Sequence, residues 1–144
     1  MELRTILYAE DNPLDVELTL EAFKENNIGN PIITVGNGVE ALEYLSCEGN
    51  FADRKPVNPG MILLDLKMPI MDGIEFLSIV KKDITFKRIP IIMLTSSKEE
   101  TNLIKSYDLG ANAYIVKPVD FKSLTDVVRQ IGNFWVIINE LPSK

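Results

Sequence analysis

Several polar side chains of this chain stand where an apolar run stops. Met61-Ile62-Leu63-Leu64 ends in Asp65, and the run closing at Ala9 ends in Glu10 and Asp11. Ile91-Ile92-Met93-Leu94 ends in Thr95, and Ala113-Tyr114-Ile115-Val116 ends in Lys117. Brought together, these residues would offer carboxylates, a hydroxyl and an ammonium. Carboxylates packed closely repel and raise one another's pKa unless a cation lies among them. Oxygen-only ligands favour Mg2+, or a similar divalent cation such as Mn2+. Mg2+ flanked by carboxylates is a place to hold a phosphoryl group. An aspartate at its centre could be the nucleophile and form an acyl phosphate. The ammonium could then pair with phosphoryl oxygens as a point charge, and the hydroxyl could donate to another oxygen.

Taken singly, each residue has a plainer use. Asp65 could cap a turn before Pro69, and Glu10 and Asp11 could cap a helix begun by Pro13. Thr95 could simply end a strand, and Lys117, placed before a proline, could be solvated. Their shared placement at strand ends favours the joint reading.

The elements that must position them follow from periodicity. Leu3 to Ala9 reads as a first strand, and Pro13 suits the first turn of a helix running to about Asn27. Ile32 to Val35 is a strand, followed after Gly36-Asn37-Gly38 by a helix carrying Val39, Ala41, Leu42 and Leu45. Residues 49–58 lack periodicity and read as a surface loop, long for an α/β connection. Met61 to Leu64 is apolar without alternation, as expected of a strand buried on both faces. A third helix follows Asp72-Gly73 to about Lys82. Ile91 to Leu94 is the fourth strand, with Ser96 or Ser97 as candidate N-cap of a helix that stops at Gly110. Ala113 to Val116 is the fifth strand, and Asp120 caps a last helix from Phe121 to about Asn139. Strict alternation of five strands and five helices predicts right-handed crossovers and a parallel sheet covered on both faces. Ligands then gather at the carboxyl ends of the strands.

Composition narrows the chemistry. The 144 residues suit one domain with a substantial core. A net charge of −6 and a pI near 4.7 argue against a nucleic-acid-binding face. With no histidine and one cysteine, Cys47, the chain has no histidine base, no Ser-His-Asp triad, no intramolecular disulfide and no thiolate metal cluster. No apolar run approaches a membrane span. A cytoplasmic protein without membrane contact is expected.

Glu10-Asp11-Asn12, Leu63 through Gly73, Ile91 through Ser96 and Gly110 through Pro118 together resemble the receiver domain of two-component response regulators, over essentially the whole chain. The resemblance implies a flavodoxin-like (βα)5 fold with strand order 2-1-3-4-5. It implies a single receiver domain over residues 1–144 without an output domain. Asp65 would be the phosphoacceptor, and Glu10, Asp11, Asp65 and the backbone carbonyl of Lys67 the metal ligands. Thr95 and Tyr114 would be the switch pair and Lys117 the phosphoryl-pairing lysine. Pro118 would follow a peptide bond that is usually cis in the family. The implied partners are a sensor histidine kinase or phosphotransfer protein, and a downstream protein target. Slow self-dephosphorylation is expected, without turnover of an external substrate. The long 49–58 loop and the tail from Asn133 to Ile138 resemble small regulators paired with phytochrome-type histidine kinases.

Two other functions share parts of this pattern. A flavodoxin-like cofactor binder needs a Ser/Thr/Gly-rich phosphate loop after the first strand, where this chain has acidic Glu10-Asp11-Asn12-Pro13. A metal-dependent phosphohydrolase with an aspartate nucleophile usually has a second acid two residues on, where this chain has Lys67. At the other end, Phe121, Leu124, Val128, Ile131, Trp135 and Ile138 form one stripe. Val127, Phe134, Val136, Ile137 and Leu141 widen it beyond what one core-facing helix needs. The surplus predicts a homodimer through the face of the fourth helix, fifth strand and fifth helix.

Overall fold

The computed structural model describes residues 4–133. In order it contains β1 (Ile6–Ala9), α1 (Pro13–Glu25), β2 (Ile32–Val35), α2 (Gly38–Ser46), β3 (Met61–Leu64), α3 (Gly73–Lys82), β4 (Ile91–Thr95), α4 (Glu100–Asp108), β5 (Ala113–Val116) and α5 (Phe121–Ile131). The strands form one sheet in the order β2-β1-β3-β4-β5, with every neighbouring pair parallel. The strand order reverses at β1, which has β2 on one side and β3 on the other. That crevice is where an open α/β sheet presents its ligand site.

The central strands are buried on both faces, which is why they read as unbroken apolar runs. Leu7, Ala9, Ile62, Leu64, Ile91 and Met93 face a core closed by Ala41 and Leu45 of α2 and Phe76, Leu77 and Val80 of α3. The alternate residues Ile6, Tyr8, Met61, Leu63, Ile92 and Leu94 face Ala22 and Phe23 of α1 and Leu124, Val128 and Ile131 of α5. Each fully buried Leu or Ile contributes roughly 1.5–3 kcal/mol relative to exposure. A polar residue is therefore costly within these strands and tolerable only where they end.

Local signals set most helix starts. Asn12 accepts hydrogen bonds from the backbone N–H groups of Leu14 and Asp15, at 2.9 and 3.2 Å. It is thus Asn12, not Glu10 or Asp11, that caps α1. Asp72 and Asp120 cap α3 and α5 through the N–H groups of Glu75 and Ser123, at 2.9 and 2.8 Å. The expected serine cap of α4 is not formed: the cap position is Glu99, whose side chain accepts no capping bond from the helix backbone. Ser97 is held back in the preceding loop, where its N–H donates to Thr95 Oγ1 at 3.3 Å and its carbonyl accepts from Tyr114. After α4, Gly110 adopts φ +105°, a conformation that suits glycine.

The 49–58 segment is more ordered than a plain loop. It opens with a 3-10 turn at Gly49–Phe51 and is clamped by Arg54. The Arg54 guanidinium lies 3.9 Å from the centre of the Tyr44 ring, and its Nε donates to the Tyr44 carbonyl at 2.9 Å. None of the peptide bonds of the described residues is cis, so Lys117–Pro118 is trans where the resemblance implies cis. Trans is the intrinsically favoured isomer of an X–Pro bond. The tail residues Phe134, Trp135, Val136, Ile137, Ile138 and Leu141, and Leu3 at the start, lie outside the described residues. Among the described residues 4–133, no helix is long and apolar enough to cross a membrane.

Candidate functional site

Register brings the acids together. Ala9 pairs with Leu64 across β1 and β3, so the residues that follow them, Glu10 and Asp65, leave the sheet side by side. The Asp65 N–H still donates to the Ala9 carbonyl at 3.0 Å, and the Glu10 N–H to Val35 at 2.9 Å. Both residues are buried and Asp11 is exposed. One carboxylate oxygen from each of Glu10, Asp11 and Asp65 lies within 4.8 Å of the others. Two buried carboxylates and one open to water form an all-oxygen donor set that suits a hard divalent cation such as Mg2+ or Mn2+.

The loop after β3 shapes the far wall. Asp65 Oδ1 accepts from the Leu66 N–H at 2.9 Å, which orients the carboxylate. The chain then folds back, and the Gly73 N–H donates to the Leu66 carbonyl at 2.8 Å. At the tip, the Met71 N–H donates to Pro69 at 2.7 Å around Ile70, whose φ is +68°. This is a γ-turn with a β-branched residue in the left-handed region, a strained conformation. Lys67 lies in this loop with its side chain exposed, two residues beyond Asp65.

Lys117 follows β5, its N–H donating to the Thr95 carbonyl at 2.7 Å. Its ammonium pairs with Glu10 Oε1 at 2.5 Å and with Asp15 Oδ2 at 2.9 Å. Burial works against the charge on Lys117, but the bonds to Glu10 and Asp15 outweigh it and hold its pKa above the usual lysine range. Glu10 is pushed up to about 7 by burial, with the Asp65 charge adding and the Lys117 bond opposing. With two carboxylates on one ammonium, Lys117 stays charged. A cation among Glu10, Asp11 and Asp65 would offset the mutual repulsion of their carboxylates.

Thr95 and Tyr114 meet through a third residue. Thr95 Oγ1 accepts from the Ser97 N–H, and the Tyr114 hydroxyl donates to the Ser97 carbonyl at 3.0 Å. Tyr114 is half-buried and packs against the core on the α2–α3 side of the sheet. From α4, the Tyr107 hydroxyl accepts from the Tyr114 N–H at 3.1 Å. The strand-end residues foreseen from sequence thus share one edge of the sheet. One participant was missed: Asp15, in the first turn of α1. Ser97, read as a candidate helix cap, instead links Thr95 to Tyr114. An acid in the first turn, just behind a proline at the helix start, was the available signal for Asp15.

Residues 6–129 match the response regulator receiver domain family. The chain is 36% identical over 140 residues to response regulator Rcp1 of Synechocystis sp., covering 97% of this chain and 94% of that protein. Its structure is similar to that of the phosphorylated cyanobacterial phytochrome response regulator RcpA, with a TM-score of 0.90, 39% identity, and 99% and 100% of the two chains covered. It is also similar to the Mn2+-bound form of Rcp1, with a TM-score of 0.87, 35% identity, and 97% and 99% covered.

Proposed function

The chain belongs to the response regulator receiver domain family, and from that premise we propose that it accepts a phosphoryl group on Asp65 from a partner histidine kinase or phosphotransfer protein. It then signals through a phosphorylation-dependent change in protein–protein contacts. The observation that carries this reading is the clustering of Glu10, Asp11 and Asp65 within 4.8 Å, at a sheet edge shared with Thr95 and Lys117.

In the transfer, an Asp65 carboxylate oxygen attacks phosphorus in line, forming the O–P bond of an acyl phosphate. The N–P bond of the donor phosphohistidine breaks, and its electron pair stays on the imidazole nitrogen. Glu10, Asp11, Asp65 and the Lys67 carbonyl would hold a divalent cation, which when bound offsets negative charge on the phosphoryl oxygens. Lys117 supplies an ammonium and Thr95 a hydroxyl to the same oxygens. Water attacking phosphorus later returns Asp65 and releases phosphate, so the domain resets itself without an external substrate.

Commitment of Thr95 to a phosphoryl oxygen would disturb its bond with Ser97, and through Ser97 the seat of the Tyr114 hydroxyl. The group shifts a two-state equilibrium only by its differential affinity for the two states. The readout face is α4, β5 and α5, where Leu103, Ile104, Tyr107 and Phe121 are exposed. A homodimer through this face is part of the reading, and a monomeric mass with and without a phosphoryl mimic would remove it. The phytochrome response regulators among its structural neighbours support a phytochrome-type histidine kinase as donor.

The central test is incubation with acetyl phosphate and Mg2+. Wild type gains one phosphoryl group in intact-mass spectra and Asp65→Asn gains none. Stoichiometric uptake by Asp65→Asn would overturn the assignment.

A further inference from the structure

We infer that Asp15 is a positioning residue that latches Lys117 in the resting domain, and that phosphorylation of Asp65 works against this latch. The inference deepens the proposed function and rests on Asp65 as phosphoacceptor. It starts from the two contacts of the Lys117 ammonium, to Glu10 at 2.5 Å and Asp15 at 2.9 Å.

A phosphoryl group brings about −1.5 to −2 of charge and new acceptor oxygens. Two of its three donors are taken by Glu10 and Asp15, and drawing the ammonium toward the phosphoryl oxygens strains those two contacts. The two contacts differ in what is left behind. The Glu10 side chain is only 1% exposed, so water cannot take the place of the ammonium there. The Asp15 side chain is 36% exposed, so water can solvate it once it is released. Asp15 is therefore the contact that gives way, while Glu10 keeps its partner.

Asp15 is also held where it can do this. Its own N–H is fixed by the cap residue Asn12 at 3.2 Å, in the first turn of α1. A carboxylate is favoured there by the helix N-terminus. In this resting arrangement Asp15 both restrains Lys117 and adds a negative charge beside the place an anionic group must occupy. Both effects oppose the phosphorylated state. Their removal would favour it by about two- to five-fold, the range a half-exposed ion pair supplies.

The test compares wild type, Asp15→Asn and Asp15→Glu for phosphoryl uptake from acetyl phosphate with Mg2+, and for phosphoryl loss after the donor is removed. Asp126→Asn is the control. It removes the same charge from an exposed carboxylate of α5 that pairs with Arg129 instead. Asp15→Asn should raise the steady-state phosphorylated fraction or the phosphoryl lifetime by about two- to five-fold. Asp15→Glu should return at least half of the way to wild type, and Asp126→Asn should change neither quantity.

In unphosphorylated protein, the Lys117 side-chain NMR resonances should shift in Asp15→Asn and not in the control. Uptake and loss unchanged in Asp15→Asn, or changed equally in Asp126→Asn, would overturn the latch while leaving Asp65 as acceptor. No uptake by wild type would overturn the acceptor assignment and the latch with it, and the Lys117 resonances would then show whether the resting pair exists.

Discussion

A Cβ atom on Gly73 would stand 2.1 Å from the backbone carbonyl oxygen of Asp65. The start of α3 is thus seated directly on the residue proposed to carry the phosphoryl group, and only a hydrogen fits between them. Because the obstructing atom belongs to the backbone, Gly73→Ala can be accommodated only by moving the 66–72 loop or the end of β3. We expect a loss of roughly 1–3 kcal/mol in denaturant unfolding, with slower phosphoryl uptake than wild type. Wild-type uptake in Gly73→Ala would show that this contact does not position Asp65.

The Tyr114–Ser97 hydrogen bond can be removed without removing the ring. Tyr114→Phe should cost about 0.5–1.5 kcal/mol at most, since the Ser97 carbonyl can turn to water. Its clearer effect should be local. Amide hydrogen exchange at residues 97–100 should quicken while exchange in β1 and β3 stays unchanged. A uniform change across the sheet would mean that the tyrosine supports the core rather than the loop.

Divalent cations should stabilise the domain through the acidic cluster. At ten times its dissociation constant, Mg2+ or Mn2+ adds about 1.4 kcal/mol if it binds only the folded state. Thermal unfolding should therefore rise with added metal and fall back with chelator. Asp11→Asn should blunt the response. The same metal response in Asp11→Asn as in wild type would place the binding elsewhere.

The α5 cap gives a pH dependence whose sign is set by Asp120. Hydrogen bonds from the Ser123 N–H and hydroxyl lower its pKa in the folded state. Such a group adds stability above its unfolded pKa, near 3.9, and that stability is lost as pH falls through the folded value. Wild type should exceed Asp120→Ala in thermal midpoint at pH 6–7, and the gap should narrow below about pH 4. A gap that stays constant down to pH 3 would rule out the charged cap.

Much of the arrangement is legible in the amino-acid sequence. Met61 to Leu64 reads as a doubly buried strand because a parallel sheet covered on both faces leaves no solvent side for alternation. The same burial explains why Asp65 had to stand at its end. Glu10, Thr95 and Lys117 were identifiable for the same reason, since their strands change from apolar to polar in a single step. Helix starts at Asp72 and Asp120 followed from local chemistry, because a cap acts over three residues of chain.

What only the tertiary structure decided concerns contacts between residues distant in sequence. Lys117 lies 102 positions from Asp15, and no local pattern says which carboxylates an ammonium will choose. Ser97 has the type and position of a helix cap, yet it is held by Thr95 and Tyr114, two strands' contributions to one loop. Gly73 reads as an ordinary glycine after a cap until the Asp65 carbonyl is placed against it. Periodicity and strand ends are properties of single segments, so the sequence by itself determined the sheet edge and its chemical groups. Their pairing depends on register and approach between segments, which exist only once the sheet and its helices have closed around the site.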